Sequence, residues 1–331
     1  MKQTLLDYMV CPLDRARLTL AVQDARGELI ERGVLTCAQC GETFRVENGI
    51  PNMLSSRLPG IESKRAEISG WLEMARKENW YAASDEFDLA LPYVVQKLGW
   101  DPQGASNWEA TRLTLEQLFR EYVRPGMRVL EVGAAKSWAG HYFLERGCEY
   151  TACDILDDAY IGIGRARFFA EHFGYYEVAV ADGEALPFRD GHFDLVFAIA
   201  ALHHALDLDK MIGEMARVAK PGAYVVGLNE GVRALWANGN ATVQAEAKTH
   251  GINEHVHSLW TYTRAFRAHG LHVTQVTRSV GYDSQIAPKL KIILDGVRRV
   301  PYVGEQWAPW LLLGWIHPYD GASFFAVKTQ A

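Results

Sequence analysis

MRVLEVGAAKSWAGHYFLERG, residues 127–147, reads as strand, tight turn and helix. Val129, Leu130 and Val132 form an apolar run of β-type residues that stops at Gly133. A helical apolar pattern starts at Ser137, which is placed to cap it, and Gly147 stands where a helix stop is expected. A unit of this kind holds an adenosine-bearing cofactor at the carboxyl edge of a parallel sheet. Glu131, two residues before the glycine, constrains the cofactor's charge. A carboxylate at that point repels a pyrophosphate and attracts a cationic amino-acid tail.

Downstream of this unit, strands and helices alternate, the signature of a doubly wound α/β domain. EYTACDIL is an apolar strand ending at Asp154, and a helix is expected over Asp158–Phe173. An acid at the end of a second strand is where a ribose diol is hydrogen-bonded, since one carboxylate accepts from both hydroxyls. A third strand, YYEVAVADGEALPF, ends at Asp182–Gly183. The fourth is FDLVFAIAALHH, residues 193–204, followed by a helix over Leu206–Val218 and the turn AKPGAYVVGLN, residues 219–229. SLWTYTRAFRAHGLHVTQV gives a further helix and sixth strand, and GASFFAVKT a seventh.

Taken together, Glu131–Gly133, Asp154, Asp182, GHFDLVFA with LHH, and the KPG turn resemble the ordered motifs of class I S-adenosylmethionine-dependent methyltransferases, whose first motif is E/D-x-G-x-G-x-G. The resemblance runs continuously over residues 127–229 and resumes at 258–278 and 321–329. It implies a Rossmann-like seven-stranded sheet of order 3-2-1-4-5-7-6, helices on both faces, and an antiparallel last strand. It also implies S-adenosylmethionine as cofactor, held by Glu131, Gly133, Ala134, Ala135, Asp154, Ile155, Asp182, Gly183 and Ala200, with the adenine amine on Asp182. Ala135 and Ser137 stand where the motif's second and third glycines usually lie.

Methyl transfer from a sulfonium is an in-line displacement that asks mainly for alignment, and a base is needed only for an acceptor protonated at neutral pH. Candidate groups belong at the carboxyl ends of the fourth and fifth strands. Asn229 and Glu230 end the fifth strand, and an insertion at 231–257 carries GINEHVH, which resembles a segment of small-molecule and glycan methyltransferases. His255 is the first candidate for a base or substrate-orienting group, with Glu254 as its partner; the competing reading has both capping the following helix. His203, after the fourth strand, takes a structural or cofactor-side role. Glu254, His255 and His257 are not expected to bind metal, for want of further ligands at useful spacing.

Residues 1–55 have a different character. Cys11 and the Cys37–Cys40 knuckle have the spacing of a zinc ribbon. Together with the closing phrase NGIPNML, the segment resembles small zinc-ribbon proteins that partner or precede methyltransferases. Metal-binding members of that family have cysteine where this chain has Asp14. Two readings stay open: a structural zinc on Cys11, Asp14, Cys37 and Cys40, or a ribbon that lost its metal and is held by its core. Residues 56–125 read as a linker and helical cap, with helices at Ile61–Lys77 and Trp108–Val123. Trp80, Tyr81, Phe87, Tyr93 and Trp100 between them are candidates for a lid or for ordinary core packing. Residues 126–331 form the methyltransferase-like domain. Its second insertion, 279–320, combines Lys289, Lys291, Arg298 and Arg299 with Trp307, Trp310 and Trp315. It reads as a lid, a homodimer interface, a lipid-touching patch, or plain packing.

Composition narrows the function. The chain has 331 residues, 49% hydrophobic and 22% charged, in the usual globular range. Its net charge of −6 carries no global basic footprint, so no nucleic acid is expected. The longest apolar candidate, Trp310–Ile316, is far short of a membrane span, and no signal-peptide pattern is evident. Five cysteines, an odd number with one C-x-x-C pair, fit a reducing compartment, and the expected location is cytoplasmic. The expectation is a methyltransferase acting on a small molecule: a secondary metabolite, sugar or quinone-like compound. The alternatives are an RNA or translation-factor methyltransferase that recruits substrate through the ribbon, and a catalytically silent partner subunit.

Overall fold

A computed structural model describes residues 1–238, 245–279 and 319–330. The chain begins with an antiparallel sheet of order β1-β2-β3-β4: β1 Leu18–Arg26, β2 Leu29–Cys37, β3 Thr43–Glu47 and β4 Ile50–Pro51. Alternation decides its inner face. Gly33, Leu35 and Cys37 of β2 and Phe44 and Val46 of β3 are buried while their neighbours are not.

Four helices follow: α1 Ile61–Lys77, α2 Asp85–Ala90, α3 Val94–Leu98 and α4 Ser106–Glu121. The remainder alternates as β5 Arg128–Val132, α5 Gly140–Leu144, β6 Glu149–Asp154, α6 Ala166–Phe173, β7 Glu177–Val180, β8 Phe193–Ile199, α7 Leu208–Val218, β9 Ala219–Arg233, α8 Ala245–Thr249, β10 His257–Ser258, α9 Leu259–Ala268, β11 Leu271–Arg278 and β12 Tyr319–Lys328. The large sheet has the order β11-β12-β9-β8-β5-β6-β7, with β10 attached to β9. Pairs among β5 to β9 are parallel, and β12 runs antiparallel to both β9 and β11. This is the 3-2-1-4-5-7-6 order that the resemblance implies. The central strands are apolar without alternation because helices cover both faces: Leu130, Leu195, Val196 and Phe197 are wholly buried.

The N-terminal sheet shares this core. Leu5, Met9, Phe44 and Val46 belong to the same buried cluster as Leu130, Val132 and Phe188. Backbone bonds stitch the seam, with Val10 N donating to Pro187 O at 2.9 Å, Arg189 N to Tyr8 O at 2.8 Å and Met53 N to Val180 O at 2.8 Å. Asn52 bridges Val180 in parallel, so the chain leaving β4 covers the otherwise open edge at β7. Tyr8 stacks on His192 at 4.3 Å and shares a 3.1 Å hydroxyl contact with Thr151.

Local differences from the sequence reading have identifiable causes. The helix expected from Ser137 starts at Gly140, with Ala139 as N-cap and no side-chain cap, because Ala135 and Ser137 both adopt positive φ (45° and 58°). The helix expected over Asp158–Phe173 forms only from Ala166, after a 3-10 turn at Ile163–Arg165. Asp158 Oδ1 accepts from Tyr160 N at 2.8 Å and Ile161 N at 3.0 Å, a local turn that competes with helix. The fifth strand runs on to Arg233, so the expected insertion at 231 begins inside β9. Most of the 279–320 insertion, including its four cations and three tryptophans, lies outside the described residues. No helix among the described residues is long and apolar enough to cross a membrane.

Candidate active site

At the carboxyl ends of β5, β6, β7 and β8 lies a cavity of about 820 Å³. Gly133, Ala135, Asp154, Ile155, Asp182, Gly183 and Ala200 line it, seven of the nine residues expected to bind the cofactor. Gly133 is required there: its φ is +74°, and a Cβ would come 2.5 Å from that of Ala201. Asp154 is oriented by two backbone donors, Ala135 N at 2.7 Å to one carboxylate oxygen and Leu156 N at 2.9 Å to the other. Burial raises its pKa, and those same donors oppose the rise.

Two expected residues are elsewhere. Glu131 is buried off the cavity and accepts a hydrogen bond from the Tyr150 hydroxyl. Burial raises its pKa to about 8, opposed by the Tyr150 hydrogen bond. The sequence reading has this carboxylate attract a cationic tail; the structure places it behind the cavity wall, against Tyr150. Ala134 is likewise buried and off the wall, its N–H donating to Cys153 O at 3.1 Å.

Helix α1 closes the cavity with residues that sequence reasoning missed. Lys64 Nζ is buried between Asp182 Oδ1 at 2.6 Å and Glu184 Oε1 at 2.7 Å. Burial lowers its pKa, but the two carboxylates more than reverse this and the net shift is upward. Glu67 and Trp71, further along the helix, also line the cavity. The signal was present: Lys64 and Glu67 sit at helical spacing from Ile61, on its buried stripe, where an unpaired charge is too costly to stand. The remaining walls are aromatic: Trp80, Phe87, Trp100, Trp108 and Trp138, with Phe87 stacked on Trp100 at 5.2 Å. Of the expected lid aromatics, Tyr81 instead donates to Asp158 Oδ2 at 3.1 Å, and Tyr93 packs on Tyr142 at 5.5 Å. Asp88 pins α2 to this wall by accepting from Lys136 Nζ at 2.7 Å and Arg165 Nε at 2.9 Å.

The polar end of the cavity is built around His203 and His204, in the 3-10 turn Leu202–His204 after β8. Glu230 of β9 is fully buried and accepts from the backbone N–H groups of Ala201 (3.0 Å), Leu202 (3.1 Å) and His203 (3.2 Å). Its other contact is His203 Nδ1 at 2.8 Å. Burial opposes the His203 imidazolium, yet the hydrogen bond and charge of Glu230, then Glu254 and Glu67, raise its pKa. His204 lines the cavity with Nδ1 2.6 Å from the Asn253 carbonyl, and burial together with the His203 charge lowers its pKa to about 3. Glu67 accepts from Asn253 Nδ2 at 3.0 Å, and burial raises its pKa to about 7.

Three expected catalytic residues thus meet: His203, Glu230 and Glu254, whose Oε2 is 3.7 Å from His203 Nε2. His255 does not join them through its side chain. Its N–H donates to His203 O at 3.1 Å, and its ring stacks on His257 at 5.6 Å. Burial, then Lys248 and His203, lower its pKa. Glu254 thus approaches His203 and His204 rather than pairing with His255. Asn229 is also turned away: its Nδ2 donates to Thr114 Oγ1 at 3.1 Å and its Oδ1 accepts from Ser279 Oγ at 2.9 Å, tying β9 to α4.

A second ligand group lies in the N-terminal sheet. Cys11, Asp14, Cys37 and Cys40 each offer an atom within 4.8 Å of the others. Cys37 Sγ is 3.3 Å from Asp14 Oδ1, Cys11 Sγ is 3.8 Å from Cys40 Sγ, and the N–H groups of Gln39 and Cys40 point at Cys37 Sγ at 3.4 Å. The Ala16 N–H holds Asp14 well ionised, with a pKa of about 2. Three sulfurs and one anionic oxygen around one centre fit tetrahedral zinc.

Comparison with known families agrees with this layout. Residues 130–227 match the family described as methyltransferase domain, and residues 2–49 match that described as Trm112p-like protein. The chain is 37% identical over 105 residues to a ubiquinone/menaquinone biosynthesis C-methyltransferase UbiE of Laribacter hongkongensis, covering 30% of this chain and 41% of that one. It is 34% identical over 104 residues to a sterol 24-C-methyltransferase of Gibberella zeae, covering 30% of this chain and 27% of the other. The chain therefore spans about two fifths or less of the length of these relatives. A candidate sarcosine dimethylglycine methyltransferase of Galdieria sulphuraria superposes with a TM-score of 0.50 at 16% identity, over 69% of this chain and 88% of that one. That likeness speaks for the fold. The chain carries a class I methyltransferase domain behind a Trm112p-like, β-rich domain.

Proposed function

We propose that this protein transfers a methyl group from S-adenosylmethionine to an apolar small molecule. One observation carries the reading: Asp154, Asp182 and Gly133 share a single cavity with a wall of tryptophans and a buried histidine–glutamate cluster. When bound, the cofactor supplies an electrophilic methyl on a sulfonium. The protein's part is alignment. Asp154 accepts from the ribose hydroxyls, its carboxylate fixed by Ala135 N and Leu156 N. Asp182 and Gly183 meet the adenine, with Lys64 holding Asp182 in place.

Opposite them, Trp71, Trp80, Phe87, Trp100 and Trp108 exclude water and bury an apolar ring or chain. This wall suits the acceptor classes in the relatives' names, quinone precursors and sterols, better than a nucleic acid. Glu67 and His204 orient the acceptor's polar group, and His203, Glu230 and Glu254 behind them set the charge of that end. We further infer a structural zinc on Cys11, Asp14, Cys37 and Cys40, and a reducing, cytoplasmic setting that keeps all five cysteines out of disulfides.

The test is turnover with methyl-labelled S-adenosylmethionine and a panel of prenylated quinols, sterols and phenols, with transfer RNA as the contrasting substrate. Label in an apolar product, at a rate cut about a hundredfold by Trp71→Ala as misplacement of an acceptor would do, supports the reading. Label in RNA alone would contradict it.

A further inference from the structure

Glu131 lies behind the cavity wall, so it does not meet the amino-acid tail that the cofactor carries beyond its ribose. The tail's carboxylate needs a cation or strong donors in exchange for water. Most of the lining has the wrong sign. Glu67, Asp154, Asp182 and Glu184 are acidic, and the charge of Lys64 is outweighed by Asp182 and Glu184 at 2.6 and 2.7 Å. His204 is held neutral, its pKa lowered to about 3 chiefly by burial. Among the described lining residues, Lys136 is the one cation whose charge is not outweighed.

Lys136 belongs to the loop after β5, between Ala135 and Ser137. The Ala135 N–H donates to Asp154 Oδ2 at 2.7 Å, which sets Lys136 one residue from the clamp on the acid assigned to the ribose. Its half-buried side chain donates from Nζ to Asp88 Oδ1 at 2.7 Å and stands 5.9 Å from the centre of the Phe87 ring, itself part of the wall. An ammonium has three N–H donors, and Asp88 takes one of them. Nor does Asp88 cancel the charge, because its other oxygen accepts from Arg165 Nε at 2.9 Å. Two cations thus share one buried carboxylate, while Asp85, the second acid on Arg165, is exposed to water that screens it. This corner carries an excess of positive charge in a lining that is otherwise acidic.

We propose that Lys136 binds the carboxylate of the cofactor's methionine tail, with Asp88 as the positioning residue that holds the ammonium in place. The ligand named here rests on the methyl-transfer reading. Asp88 lies in α2, the helix that also carries Phe87, so the tail site and part of the aromatic wall are fastened by the same carboxylate.

The experiment is calorimetric titration of the full chain with three nucleosides. They are S-adenosylmethionine, its decarboxylated form, which lacks only the carboxylate, and 5′-methylthioadenosine, which lacks the whole tail. The wild type should bind S-adenosylmethionine about tenfold or more tighter than the decarboxylated form, the effect of one hydrogen bond between charged groups. Lys136→Met and Lys136→Gln should lower affinity for S-adenosylmethionine by that factor. Both should leave the other two nucleosides as they were, since Asp88 keeps Arg165 as its partner. Circular dichroism and cooperative melting establish that each variant is folded, and the wild-type ratio stands even where a variant is not. A wild type that binds S-adenosylmethionine and its decarboxylated form alike overturns the proposal. So do variants that discriminate as the wild type does, and so does an equal loss for all three nucleosides, which marks a structural role. These outcomes sink only the tail site. A folded wild type that binds none of the three sinks the methyl-transfer reading itself.

Discussion

Glu131 is the residue where chain position and burial disagree about charge. Its pKa is raised from 4.5 to about 8 in the folded protein, chiefly by burial. A folded pKa above the unfolded one means the native state binds the extra proton, so stability is full below about pH 4.5 and is lost as pH rises toward 8. The wild type should therefore melt at progressively lower temperature between pH 5 and pH 8. Glu131→Gln, which can still accept from Tyr150, should flatten that slope; an unchanged slope would show that Glu131 is ionised in the fold. A second prediction concerns backbone strain. Ala135 has φ 45°, in the left-handed region that costs a residue with a Cβ about 1–2 kcal/mol. Glycine relieves the strain but returns about 0.4–1 kcal/mol of entropy to the unfolded chain. Ala135→Gly should gain up to about 1.5 kcal/mol in denaturant unfolding.

Helix α1 is the element whose charges decide whether the cavity has a roof. Lys64 is buried against Asp182 and Glu184, so Lys64→Met leaves two buried carboxylates facing one another. Breaking a buried pair in this way costs about 3–5 kcal/mol. The variant should lose stability of that order by urea unfolding and bind S-adenosylmethionine more weakly; a loss below about 1 kcal/mol would show that α1 is not clasped. The same helix marks the limit of what the sequence discloses. Its bounds, Ile61–Lys77, follow from apolar spacing; the α/β class follows from the alternation of strands and helices, while the strand order comes from the resemblance. Asp154 and Asp182 are legible because their positions follow from where strands end. The partners of Lys64 lie 118 and 120 positions away, and no local pattern names them. The pairing of His203 with Glu230 and Glu254 is hidden for the same reason. His255 was the natural candidate by neighbourhood, but it faces away from the group its own N–H supports.

At the scale of the whole molecule, the N-terminal sheet and the methyltransferase domain share one core. Phe44, Val46 and Met53 belong to the cluster that holds Leu130 and Phe188, and the backbone at Met53 pairs with the edge at Val180. Residues 56–331 expressed alone should therefore expose that face and be recovered as aggregate, and chelation of the cysteine site in the full chain should lower its melting temperature. A soluble, cooperatively melting fragment would show instead that the two parts fold independently. The central claim is the cofactor cavity, and calorimetric titration of the full chain with S-adenosylmethionine, beside Asp154→Ala, tests it most directly. The account predicts saturable binding to the wild type, weakened about tenfold or more in the variant through loss of a charged hydrogen-bond partner. No heat from a folded wild type, or equal affinity in Asp154→Ala, would contradict it.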